Sequence, residues 1–217
     1  MKRSRINTII RDAETFIEKQ GFALPPFAAW TPEQWRARAT PALIDARLGW
    51  DVTDFGRDTF EHLGLVLVTL RNGQTDSPRP YAEKIIVVRD GQHCPMHRHF
   101  RKVEDIINRG AGTLVLALHA AGDQGAVDRT AEVVIETDGC VRTLAAGQPL
   151  RLRPGESVTL HPHHWHGFWA EGDVLVGEVS TVNDDATDNW FEEPLGRFAA
   201  IEEDEPPYRL LVADYPA

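Results

Sequence analysis

Cysteine is almost missing from this chain: Cys94 and Cys140 are the only two in 217 residues. Two thiols make no disulfide framework of the kind small secreted domains need, and both read as reduced cysteines of a cytosolic protein. Positive charge is also short. Lys and Arg total 23 against 33 Asp and Glu, a net charge of −10, so a phosphate backbone would be repelled and nucleic acid is not an expected partner. No apolar run approaches the roughly 18 residues of a membrane span, so no membrane partner is expected. The opening MKRSRINTIIRDAETF starts basic but places Asp12 and Glu14 where a secretion signal needs its apolar stretch. These absences leave a cytoplasmic protein as the expectation. What is present is ordinary globular composition, 42% hydrophobic and 26% charged, in a length suited to one good-sized domain.

The first quarter reads as helical. Ile6, Ile9, Ile10, Ala13, Phe16 and Ile17 recur at three-four spacing over residues 4–20, with Ser4 as the expected cap and Gly21 as the stop. Thr31-Pro32 and Thr40-Pro41 each place an N-cap before a proline at the first helical position, which predicts two short helices, the first carrying Trp35. From about residue 60 the pattern changes to short strands parted by Gly, Asp and Asn. Predicted strands run over 65–70, 82–89, the His97/His99 segment, 104–108, 113–119, 132–136, 141–144, 157–160, 167–170 and 174–180. Such spacing argues for a sandwich or barrel rather than a parallel sheet. The expected organisation is a helical extension, residues 1–60, packed on a β-barrel, residues 61–217, whose C-terminal stretch covers it, together one structural domain.

Two histidines one residue apart carry the chemistry. His97 and His99 are followed by Glu104, and a Pro154-Gly155 turn precedes the run His-Pro-His-His-Trp-His166. Imidazole nitrogen and carboxylate oxygen are ligands for a divalent first-row metal. Residues i and i+2 of a strand share a face, so His97 and His99 reach one point; Glu104 joins them if Phe100 to Val103 makes a hairpin. At most one histidine of the later run is expected to bind, and His166 is chosen because it opens the apolar stretch Gly167-Phe168-Trp169-Ala170. The spacing Gly-x5-His-x-His-x4-Glu, then Pro-Gly and a later His, resembles the two metal motifs of the cupin superfamily. That resemblance implies a mainly β, double-stranded β-helix (jelly-roll) barrel.

Flanking segments narrow the resemblance. Leu24-Pro-Pro-Phe-Ala, Gly49-Trp-Asp-Val-Thr-Asp-Phe-Gly56, Tyr81-Ala-Glu-Lys84, Glu104-Asp-Ile-Ile-Asn-Arg-Gly110, Gly177-Glu-Val-Ser180 and Glu193-Pro-Leu-Gly-Arg-Phe198 are similar to the D-lyxose isomerase family over nearly the whole chain. The resemblance implies a homodimeric, manganese-dependent enzyme interconverting D-lyxose and D-xylulose, and D-mannose and D-fructose. His97, His99, Glu104 and His166 are the implied ligands of Mn²⁺; on physical grounds the mixed donors also suit Fe, Co, Ni or Zn.

Aldose–ketose isomerisation moves a proton between C1 and C2, and a divalent ion holding adjacent sugar oxygens would stabilise the cis-enediolate. A base and a hydroxyl-proton carrier are then needed. Lys84, on an apolar strand, is costly to bury unless it meets a negative partner, and is expected in catalysis or substrate binding. The base stays open among Glu178, Asp188 and Glu202. Arg197 is a candidate for holding a carboxylate or a sugar hydroxyl, and Trp169 and Phe100 for stacking on the sugar. Asp51, Thr53 and Asp54 read equally as closing residues or as a solvated turn. Two other readings fit the metal motif: a cupin dioxygenase, favoured by an apolar cavity, and a carbohydrate-binding cupin that needs no base.

Overall fold

The computed structural model describes residues 1–196 and 199–215. Helix α1 (Arg3–Lys19) forms on the expected apolar face, and Ile6, Ile9, Ile10, Ala13 and Ile17 are all buried. They pack on the outer face of the sheet, against residues such as Val66, Val68, Val87 and Leu175; each buried isoleucine stabilises the docking by about 1.5–3 kcal/mol. Gly21, at φ +73°, ends the helix with its N–H on the Glu18 carbonyl, 2.8 Å. Ser4 is not the cap. The helix starts one residue earlier, at Arg3, with Lys2 in the cap position, and Asp204 accepts both the Ser4 N–H and the Ser4 hydroxyl, at 2.9 and 2.7 Å. A carboxylate from the other end of the chain thus satisfies a free N–H of the first turn. Thr31 and Gln34 form a reciprocal capping box on α2 (Pro32–Arg38), where Trp35 is buried, and Thr40 caps α3 (Pro41–Asp45).

The strands are β1 (Gly49–Thr53), β2 (Leu65–Asn72), β3 (Tyr81–Val88), β4 (His93–His99), β5 (Glu104–Ala121) and β6 (Val127–Asp128). They continue as β7 (Val133–Thr137), β8 (Cys140–Leu144), β9 (Leu150–Leu152), β10 (Ser157–Leu160), β11 (His164–Thr181) and β12 (Asn189–Phe191). All pairings are antiparallel, in the order β1-β2-β3-β11-β5-β10-β7-β8, with β4 joining β11 beyond the end of β3 and β12 joining β4. This is a mainly β jelly-roll barrel with helices at its N-terminus.

Two differences from the sequence reading matter for the site. Residues 104–108 and 113–119 are one strand, as are 167–170 and 174–180. The pair β5–β11 runs from His164↔Ala120 to Ser180↔Glu104, with register shifts after Glu171 and after Leu175. Such bulges bend a strand without ending it. Gly112 permits the close approach, because a Cβ there would meet the Glu171 carbonyl oxygen at 2.3 Å. Secondly, β1 lies within the first 60 residues, where helices and a turn are expected. Its five residues are all buried, and Trp50 pairs with Val68. The barrel interior holds one apolar cluster, including Ile106, Leu114, Leu116, Phe168 and Val176, and above it the inward residues turn polar.

Candidate active site

The polar end of the barrel is built on His166. It is the register partner of His97 on β4, and strand alternation places His99 on the same face. Donor nitrogens of His97, His99 and His166 lie within 4.8 Å of one another. Each Nδ1 meets a backbone carbonyl: Pro95 at 2.8 Å for His97, Asp188 at 3.3 Å for His99, and His164 at 3.2 Å for His166. A carbonyl only accepts, so each Nδ1 carries a proton, and the three Nε2 atoms are the positions left to bind a metal. Burial, followed by the neighbouring His166 and His99, holds the His97 pKa well below its usual value, so the ring is neutral.

Glu104 opens β5, and its Oε1 lies 3.2 Å from His99 Nε2 and 3.1 Å from His166 Nε2. It does not arrive by a hairpin. β5 begins beside Ser180, at the far end of β11 from His166, and residues 100–103 carry the chain across the barrel. The bent β11 then brings both of its ends to one place. A carboxylate oxygen converging on two imidazole Nε2 atoms in a buried site is a donor set that fits a divalent cation, with the Nδ1–H···O=C bonds as its orienting contacts.

Beside these residues lies a buried charge network. Lys102 Nζ is 2.7 Å from Glu104 Oε2 and 2.9 Å from Glu178 Oε1. Lys84 Nζ is 3.5 Å from both Glu178 Oε1 and Asp185 Oδ1, and it donates to Asn183 Oδ1. Burial alone would raise the pKa of Glu104; Lys102, then His99 and the two imidazole contacts, hold it well below the carboxylate range. Glu178 is likewise lowered, because Lys102 and Lys84 outweigh its burial and the repulsion of Glu104. Lys102 is raised: its burial is outweighed by the two carboxylates. Thr53, Asn189 and Asp185 add polar groups to the cavity wall, and Phe55, Leu65, Ile86, Phe168 and Phe191 form its apolar side.

Of the sequence candidates, Lys84 and Glu178 line this cavity with His97, His99, Glu104 and His166. Asp188 does not: its two carboxylate oxygens accept the backbone N–H groups of Arg101 and Lys102, at 2.9 and 3.0 Å. Glu202 is exposed outside the barrel, where its backbone pairs with the start of α1. Trp169 stacks on His93 outside the cavity. Since His166 points inward, Phe168 does too and Trp169 cannot. Phe100 is 51% exposed and stacks on Trp190. Arg197 lies outside the described residues. Sequence reasoning missed Lys102, Asp185 and Asn189. The spacing Lys102-Val-Glu104 is a signal that could have found the first, since i and i+2 share a side. Asp185 and Asn189 sit in an irregular segment with no periodicity to orient them. Thr53, left open between two readings, faces the cavity, and Asp51 and Asp54 are buried rather than solvated.

Comparison with known proteins gives the family and the fold. The profile of the D-lyxose isomerase family matches residues 1–215. The D-lyxose/D-mannose isomerase of Serratia proteamaculans is 49% identical in an alignment covering 99% of this chain and 98% of that protein. The protein of the same name from Escherichia coli O157:H7 is similar to the same extent, 49% over the same shares. Among solved structures, Acinetobacter sp. DL28 L-ribose isomerase in complex with L-ribose superposes with a TM-score of 0.62 at 15% identity, covering 92% of this chain and 98% of that one. Cellulomonas parahominis L-ribose isomerase with L-psicose gives 0.61 at 17%, covering 93% and 98%. At that identity the likeness is one of fold alone, over nearly the whole of both chains. Matched from residue 1 to 215 by the family profile, the chain belongs to the D-lyxose isomerase family and is a sugar isomerase.

Proposed function

We propose that this enzyme interconverts D-lyxose and D-xylulose, and D-mannose and D-fructose, with a divalent ion held by His97, His99, Glu104 and His166. The observation that carries the reading is Glu178, a buried carboxylate 2.9 Å from Lys102 and 3.5 Å from Lys84, on the same cavity as that donor set. Bound there, the ion would supply Lewis acidity, polarising the sugar carbonyl and offsetting negative charge on its oxygen. Manganese is the ion we assign, on the resemblance to the family.

Glu178 takes the proton from C2 of the aldose and returns it to C1. The cations beside it keep it ionised and so able to accept that proton. Meanwhile O2 loses a proton and O1 gains one. Asp185, on the other side of Lys84, is the carrier we assign to this second transfer. Lys84 and Lys102 offset the negative charge that develops on the sugar oxygens. Five charged side chains on the wall (Lys84, Lys102, Glu104, Glu178 and Asp185) favour a hydroxylated substrate over the apolar one of a cupin dioxygenase. A binding protein would have no use for the Lys84–Glu178–Lys102 array.

We also propose a cytoplasmic homodimer, on the family resemblance and the two free cysteines. No helix of the described residues is long and apolar enough to cross a membrane. Sedimentation of the active enzyme as a monomer would remove the dimer. The deciding experiment is turnover of D-lyxose and D-mannose by metal-stripped protein with and without added Mn²⁺. Ketose formation restored by the ion supports the proposal, and the ratio of the two rates names the preferred sugar. No ketose from either sugar with any divalent ion would overturn it.

A further inference from the structure

A single residue, Asp188, is in contact with four consecutive residues, His99 and the first three of the turn that leads to Glu104. Its carboxylate accepts the N–H groups of Arg101 and Lys102, at 2.9 and 3.0 Å. Its backbone carbonyl accepts the N–H of Phe100 at 3.2 Å and meets His99 Nδ1 at 3.3 Å. The side chain is 3% exposed and does not line the cavity. Asp188 is itself held: its N–H donates to the Asp184 carbonyl, 3.1 Å, and the next residue, Asn189, is the register partner of His99.

The turn needs such a partner. The N–H groups of Arg101 and Lys102 belong to no strand, and that of Lys102, a buried residue, must be paired. A carboxylate is the strongest acceptor available for two converging N–H groups. With one oxygen on each N–H, the Arg101 guanidinium 3.5 Å from one of them, and no place on the cavity wall, Asp188 faces the turn and not the sugar.

We infer that Asp188 is a positioning residue, which holds the His99 ring and the backbone of Lys102 in one fixed relation. One side of the clamp orients a metal ligand; the other places the ammonium that neutralises Glu104 and Glu178. The inference rests on the proposed metal and sugar chemistry for its effect on activity, and on the hydrogen bonds alone for its effect on the turn.

The test compares Asp188→Ala and Asp188→Asn with the wild type. In metal-free protein, hydrogen exchange over residues 99–104 should quicken by about 10–100-fold in Asp188→Ala, the loss expected for hydrogen bonds to a charged acceptor. Exchange elsewhere should be unchanged. Mn²⁺ affinity, read from the electron paramagnetic resonance of the free ion, should fall about 10-fold, because the carbonyl that meets His99 Nδ1 is kept but is no longer anchored to the turn by the side chain. kcat for D-lyxose should fall with it, and KM less. Asp188→Asn keeps one acceptor of the same shape and should stay within about ten-fold of wild-type kcat. The inference is overturned if exchange over 99–104 does not change, or if it quickens throughout the protein. It is also overturned if Asp188→Asn loses turnover as fully as Asp188→Ala with Mn²⁺ binding intact, which would make Asp188 an acid–base group. A wild-type protein that binds no divalent ion would sink the metal reading instead, and the exchange result would still decide whether Asp188 holds the turn.

Discussion

His97 and His166 face each other as register partners across the β4–β11 ladder, their rings 4.1 Å apart. Neither is held by a flexible loop, so removing one leaves the other in place. We expect His97→Ala or His166→Ala to abolish bound metal and turnover together while the barrel stays folded. Metal content and circular dichroism on the same samples check this. Near-wild-type metal in either variant would contradict the ligand assignment.

Lys102 is the only cation within 3 Å of both Glu104 and Glu178 among the described residues. Replacing it by Met leaves two neighbouring buried carboxylates with Lys84 as their remaining cation, 3.5 Å from Glu178. Breaking a buried ion pair from one side costs about 3–5 kcal/mol, so Lys102→Met should lower stability by that order and kcat by about 100-fold or more. Adding Glu178→Gln should recover part of the stability and none of the turnover. Urea unfolding and lyxose kinetics on the single and double variants separate the two effects. A fully stable, active Lys102→Met enzyme would remove the lysine from both roles.

The part of the site that strand parity can reach was legible in the sequence. His97 and His99 alternate on one strand, His166 opens another, and Lys84 sits where an apolar strand makes a lysine conspicuous. The same parity, counted from His166, would have chosen Phe168 over Trp169. What parity cannot supply is the path between elements. Glu104 reaches the histidines because β11 bends at two register shifts, and bulges leave little mark in a hydrophobic pattern; for the same reason two long strands read as four short ones. Asp188 and Glu202 are acidic residues in polar stretches of similar appearance. Only tertiary contacts separate one buried under the ligand turn from one exposed on the outside. β1 was hidden because Asp51 and Thr53 give it the composition of a turn.

Acid should act on this site in one direction. The folded-state pKa of Glu104 is held well below its ordinary value and that of Glu178 is lowered: burial opposes both shifts, and Lys102 is the largest influence favouring them. A carboxylate with a depressed folded pKa contributes stability that is present above its unfolded value, about 4.3. That stability is lost as pH falls through the folded value. Lys102 is shifted upward, so its own contribution persists through neutral pH and is lost only in strong alkali. Metal-free protein should therefore weaken in two stages: from pH 7 to about 5, as His97, His99 and His164, held neutral mainly by burial, take up protons only in the unfolded chain, and then more steeply as the carboxylates are protonated. Glu104→Gln should flatten that acid limb. A midpoint that rises on acidification would reverse the sign and remove the ionised pair.

Arg3 tests whether the two chain ends stabilise the barrel without entering its chemistry. Its side chain is 2% exposed, and the guanidinium makes two forks, to Glu203 at 2.9 and 2.5 Å and to Asp214 at 3.0 and 2.8 Å. Bidentate pairing of this kind suits arginine and not lysine. Glu203 is 58% exposed, so solvent screens its share, whereas Asp214 is 17% exposed and keeps most of its own. Discounting the buried-pair cost accordingly, Arg3→Met should lose about 2–3 kcal/mol. For a chain of this size that is a fall of roughly 5–10 °C in Tm. Arg3→Lys should recover less than half. Well below the new Tm, kcat should stay near wild type, because Arg3 touches the C-terminal segment and not the cavity wall. An unchanged Tm would mean that the outer contacts of α1 alone hold the ends. A loss of kcat in fully folded protein would instead tie this latch to the site.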